Sequence, residues 1–113
     1  MSELQTVTVE NISSVTATAS IPVPLALIAD ANSVSRARRS RQLEKLGYRV
    51  ASARTSFEAI VKASCHIPDV IVIGASLGNT GVAETTKLLS TCPATAHIPI
   101  VHLQYGGRLP SRL

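Results

Sequence analysis

Aromatic residues are almost missing from this chain: it has no tryptophan, and Phe57, Tyr48 and Tyr105 are its only phenylalanine and tyrosines. Carbohydrates and single-stranded nucleic acids are commonly held on aromatic platforms, so this scarcity argues against such a surface. Cysteine is equally sparse. Cys65 and Cys92 lie far apart without metal-ligand spacing, and His66, His97 and His102 form neither an HxxxH pair nor a Cys/His cluster. No metal site and no cofactor is expected. Apolar runs approaching the roughly 18 residues needed to cross a bilayer are absent, and the N-terminus lacks a charged region followed by an apolar stretch and a cleavage site. These absences predict a reduced, cytoplasmic protein with no membrane partner.

What the chain does have is Ala, Val, Leu and Ile. An apolar fraction of 45% against 16% charged residues suits a buried core, and 113 residues leave room for one small domain. The net charge of +4 is local in origin, because four of the eleven basic residues, Arg36, Arg38, Arg39 and Arg41, share one hexapeptide. An acidic partner is one reading of that cluster, and a solvated helix face is the plainer one.

Residues 1–22 are rich in Thr, Ser and Val, with strand-like alternation over Leu4–Val9, and predict a leader that is either flexible or an extra strand. Beyond Pro24 the pattern becomes an α/β alternation. Leu25–Ala29 is a continuous apolar run of the kind buried on both faces in a parallel sheet. Asn32 or Ser33 can cap a helix over about Val34–Leu46, closed by Gly47. A strand over Tyr48–Ala53 leads to Thr55 and Glu58, spaced as a capping box, and to a helix ending near Cys65. Pro68 separates that helix from a second buried-type strand, Asp69–Ile73. A loop over Gly74–Gly81, a helix over about Val82–Ser90 and a strand over Pro99–Leu103 complete the alternation, and 106–113 read as a tail. The fold class is therefore α/β, with a doubly wound parallel sheet.

The order of these elements, carried by LALIADAN, LEKLGYRVASA, PDVIVIG and TAHIPIVHL, resembles the receiver domain of bacterial two-component response regulators over residues 23–105. The resemblance implies a flavodoxin-like sheet of strand order 2-1-3-4-5, incomplete here, with its fifth strand absent or replaced by the leader or a partner chain. It also implies a phosphoacceptor Asp ending the third strand, an acidic pair for Mg²⁺ after the first, a Thr or Ser ending the fourth and a Lys ending the fifth. This sequence departs from that set at each place. Gly74 occupies the acceptor position, Ala31 follows Asp30 where a second acid is expected, Gln104 occupies the hydroxyl position, and no fifth-strand Lys is found. One carboxylate cannot assemble the octahedral oxygen site Mg²⁺ demands. Asp30 is then expected to survive as a helix-capping or solvent-exposed carboxylate, with no catalytic residue and no phosphoacceptor in the chain. Arg39 falls at a position the resemblance makes apolar and sheet-facing, so its guanidinium must snorkel or find a partner.

The resemblance points to bacterial signal transduction, and the missing site to a non-enzymatic, phosphorylation-independent adaptor that binds proteins. Ending the sheet at Ile100–Leu103 leaves an apolar edge, which predicts self-association as a homodimer or higher oligomer, through Ile100, His102 and Tyr105, beside a signalling protein as partner. Two other readings stand beside it. Gly74, Gly78 and Gly81 could offer amides to a small ligand or nucleotide, although their spacing matches neither the dinucleotide fingerprint nor a P-loop. The helix bearing Arg36, Arg38, Arg39 and Arg41 could associate with nucleic acid, but no second basic element or recognition motif supports it. Ser76 lies between Gly74 and Gly78, two residues to either side, but no Ser-His-Asp arrangement can be argued around it.

Overall fold

In the computed structural model of the chain, residues 23–103 are described; the leader, Gln104, Tyr105 and 106–113 lie outside them. The described residues form strands β1 (Leu25–Ala29), β2 (Arg49–Ala53), β3 (Val70–Gly74) and β4 (Ile100–Leu103). Helices α1 (Ser33–Lys45), α2 (Ser56–His66) and α3 (Gly78–Thr91) connect them, with a short 3₁₀ turn, Ala75–Leu77, ahead of α3. All pairings are parallel and the sheet order is β2-β1-β3-β4. This is the α/β, flavodoxin-like receiver arrangement through its fourth strand.

Local chemistry explains the boundaries. Asn32 caps α1 by accepting the Ser35 amide at 2.9 Å. At the other end Gly47 has φ +98°, and the amides of Gly47 and Tyr48 return to the Glu44 and Leu43 carbonyls, a Schellman closure that only a residue at ease with positive φ allows. The Thr55 hydroxyl accepts the Glu58 amide at 3.1 Å, as a capping box requires. The reciprocal bond is shifted, because Glu58 accepts the amide of Arg54 at 2.7 Å rather than that of Thr55. The predicted loop over Gly74–Gly81 is instead a strand end, the 3₁₀ turn and the first turn of α3. Gly81 sits inside that helix because a Cβ there would meet the Ser56 hydroxyl at 3.2 Å, where α2 crosses close by.

Alternate strand residues face opposite sides of the sheet. Leu27, Ala29, Ile71 and Ile73 pack with Ala59 and Ala63 of α2 and Leu89 of α3. Ala26, Ile28, Val70 and Val72 form a second layer with Leu43 of α1. The sheet is thus wound on both faces, and the carboxyl ends of β1 and β3 come side by side, with Ala29 paired to Ile73. Polar groups that follow these two strands are forced into one another's company.

Candidate functional site

Asp30 follows β1 directly and is 1% exposed, so it is neither a solvent-facing carboxylate nor a helix cap. Its amide is tied to the Ala53 carbonyl of β2 at 3.0 Å, which holds the residue at the strand end. One carboxylate oxygen accepts the Asn32 amide at 2.9 Å and the Ser76 hydroxyl in a very short hydrogen bond. The other faces the Arg39 guanidinium, with Nε 3.7 Å from Oδ2. Burial pushes the Asp30 carboxyl up, but hydrogen bonds from the Ser76 and Ser35 hydroxyls and the Asn32 amide, with the charge of Arg39, outweigh it and hold it below its ordinary value. It stays ionised at neutral pH inside the protein.

Arg39 has found the partner that its sheet-facing position required. It is 5% exposed and also donates from Nε to the Ser35 hydroxyl at 3.3 Å. Arg36, one turn earlier, donates from Nη1 to the Asp30 carbonyl at 2.9 Å. The expected interaction surface therefore has to be corrected. Arg39 is buried against a carboxylate and Arg36 is half-buried on a carbonyl, while Arg38 and Arg41 remain exposed. Helical geometry separates the four, since 36 and 39 lie toward one side of the cylinder and 38 and 41 toward the other.

Ser76 is the residue that sequence reasoning passed over. Its single proton goes to Asp30, and its oxygen accepts the Ala31 amide at 2.9 Å. It pins the β1–α1 connection to the β3–α3 connection and is no free nucleophile. A signal for it existed: a hydroxyl two residues past the end of β3, opposite an acid just past the end of neighbouring β1.

Gly74 closes β3 and is buried beside this network. A Cβ at this position would lie 3.1 Å from both Cγ and Oδ2 of Asp30. Any side chain here must push the Asp30 carboxylate aside, and a carboxylate would meet one of like charge. Ala31 contributes only its amide. Among the described residues no group of three or more His, Cys, Asp or Glu is placed to hold a metal ion.

Around the corner, a groove of about 510 Å³ lies between α3 and the ends of β3 and β4, lined among others by Ile73, Val82, Thr86, Lys87, His102 and Leu103. Thr86 donates its proton to the Val82 carbonyl at 2.7 Å, so at 2.9 Å it accepts from Nε2–H of His102. His102 is exposed and Ile100 half-buried on β4, which pairs with no strand beyond β3 among the described residues. His66, His97, Cys65 and Cys92 are not drawn together by the fold into any metal-binding group.

No protein-family model and no curated protein sequence matches the chain. Solved structures do. The chain is similar to the N-terminal domain of a response regulator receiver protein from Methanoculleus marisnigri, with a TM-score of 0.69 and 23% identity over 80% of this chain and 74% of that one. It is similar to the chemotaxis response regulator CheY4 of Vibrio cholerae, with a TM-score of 0.67 and 26% identity over 73% and 68% of the two chains. The anti-anti-sigma factor PhyR of Bartonella quintana matches 75% of this chain at 20% identity and a TM-score of 0.60, over 34% of its own length. The resemblance read from the sequence is thereby borne out in the fold.

Proposed function

We propose that the chain is a non-enzymatic, phosphorylation-independent protein–protein interaction module of bacterial signal transduction, an adaptor or regulator in the cytoplasm that also associates with itself. The observation that carries this reading is the state of the acid site. Both oxygens of the Asp30 carboxylate are engaged, one by Ser76 and Asn32 and the other by a buried guanidinium, and the strand end opposite is a glycine. A divalent cation would have to displace a resident positive charge, and a phosphoryl group would find no side chain to take it. Acetyl phosphate or beryllofluoride with Mg²⁺ should leave the amide NMR spectrum unchanged. A specific shift at Asp30, Ser76 and Gly74 sinks the reading.

Self-association is supported by β4, an apolar strand at the edge of the described sheet. Light scattering should give a dimer or larger species, and a monodisperse monomer would remove this part. A second reading, a small-ligand sensor, is favoured by the groove, whose wall includes Ala75 and Asn79 from the glycine-bearing segment. It predicts a ligand-dependent rise in melting temperature in a nucleotide screen, where the adaptor predicts none.

A further inference from the structure

We infer that the groove between α3 and the ends of β3 and β4 is a binding site for an aliphatic monocarboxylate. The inference deepens the small-ligand reading of this groove and rests on it, and it names a ligand class other than the nucleotides. At about 510 Å³ the groove falls within the roughly 300–1,000 Å³ of small-molecule sites. α3 contributes Asn79, Val82, Ala83, Thr86 and Lys87, which follow the spacing of one helix face. From Asn79 to Lys87 the helix rises roughly 12 Å, the length of an extended chain of about eight to ten carbons.

The wall is divided along its length. Ile73, Ala75, Val82 and Ala83 make most of it apolar, while Thr86, Lys87 and His102 stand together at one end. Thr86 gives its proton to the Val82 carbonyl and its oxygen to Nε2–H of His102, so these two side chains are matched to each other. Lys87 is left over, for among the described residues its ammonium has neither a hydrogen bond nor an ion pair. No Asp or Glu lines the groove. Glu84, three residues before Lys87, lines an adjoining depression and is not paired with it. One unmatched cation at the end of an apolar trough fits one negative charge on an apolar body, the carboxylate at Lys87 and the chain along Val82 and Ala83. A nucleotide fits poorly. It sets several charges against one ammonium, no aromatic side chain lines the groove to stack its base, and the Gly78 amide ahead of α3 is already given to the Ala75 carbonyl. Residues 104–113 hold two arginines and no Asp or Glu, so their side chains bring Lys87 no counter-charge.

The test is calorimetric titration of the intact chain with octanoate at about 0.1 M salt, read beside amide and methyl NMR spectra. Octanoate should bind with a Kd of about 10–100 μM and shift the signals of Ile73, Val82, Ala83 and Thr86. Butyrate should bind at least about 20-fold more weakly, since its shorter chain buries fewer methylenes. Lys87→Glu should weaken octanoate by at least about 10-fold and let octylammonium bind in its place, a swap that a misfolded variant would not show. Ala83 is exposed, so Ala83→Phe fills the trough without touching the core and should abolish binding. Equal affinity for octanoate and octylammonium, indifference to Lys87→Glu, or shifts confined to other faces would each overturn the inference. So would nuclear Overhauser contacts in the free chain that set residues 104–113 or a second copy against Val82 and Thr86, because the groove would then already have its occupant. If a nucleotide raises the melting temperature and octanoate does not bind, the ligand class falls and the small-ligand reading stands. If neither binds, both fall.

Discussion

Within six residues of α1, Arg36 and Arg39 turn toward the strand ends while Arg38 and Arg41 turn toward solvent. The side chains are chemically identical, so the difference between them is one of surroundings. A guanidinium withdrawn from water has to be matched by a specific carboxylate or carbonyl, and its removal leaves that partner stranded. One left in water contributes little to stability and keeps its charge available to other molecules. The inner pair therefore belongs to the fold, and the outer pair is open to function.

Substitutions can break that contrast at graded cost. The largest effect is expected from Gly74→Asp, which drives a Cβ to within 3.1 Å of the Asp30 carboxylate and sets a second negative charge against it. A loss of about 3–5 kcal/mol in urea denaturation is expected, with no gain of phosphorylation by acetyl phosphate. Arg39→Leu should cost about 3 kcal/mol by leaving Asp30 buried without its counter-charge, and adding Asp30→Asn should restore part of that loss. Coupling near zero in that double-mutant cycle would dissolve the distinction between inner and outer arginines.

The pH dependence follows from the depressed Asp30 carboxyl. Its folded pKa lies below the unfolded one, so its stabilisation is present above about pH 4 and is lost as pH falls through the folded value. The deficit of Arg39→Leu relative to the parent should therefore shrink as acid protonates Asp30, which denaturation curves across the acid range would show. Ser76→Ala should cost about 1–2 kcal/mol, since it removes a charge-assisted bond and leaves the Ala31 amide without its acceptor. Arg38→Ala and Arg41→Ala should stay within about 0.5 kcal/mol of the parent. A larger loss there would mean that the outer face is structural after all.

The strands were legible because parallel strands covered on both faces are uninterrupted apolar runs, as LALIA and VIVIG are. The end of α1 was legible because Gly47 does something few other residues do. The start of α3 was not, since Gly78 and Gly81 carry the composition of a loop; the reason for Gly81 is an approach of Ser56 from another helix, which sequence order does not announce. The absence of a side chain at the end of β3 could be read directly from Gly74. What surrounds it could not. Helical period says that Arg39 faces the sheet, but which carboxylate waits there depends on the depth of Asp30 and on Ser76 arriving from 46 residues away.

Gly74 also limits what this network can be changed into. An acid placed there first collides with the Asp30–Arg39 pair, so the step is harmful on its own. Taking Arg39 away first leaves a buried anion, which is harmful too. Both changes act on the same buried carboxylate, so their effects on stability are not expected to add. The glycine is the smallest residue in the network, and by this geometry the side chain it lacks is room that the Asp30 carboxylate already uses.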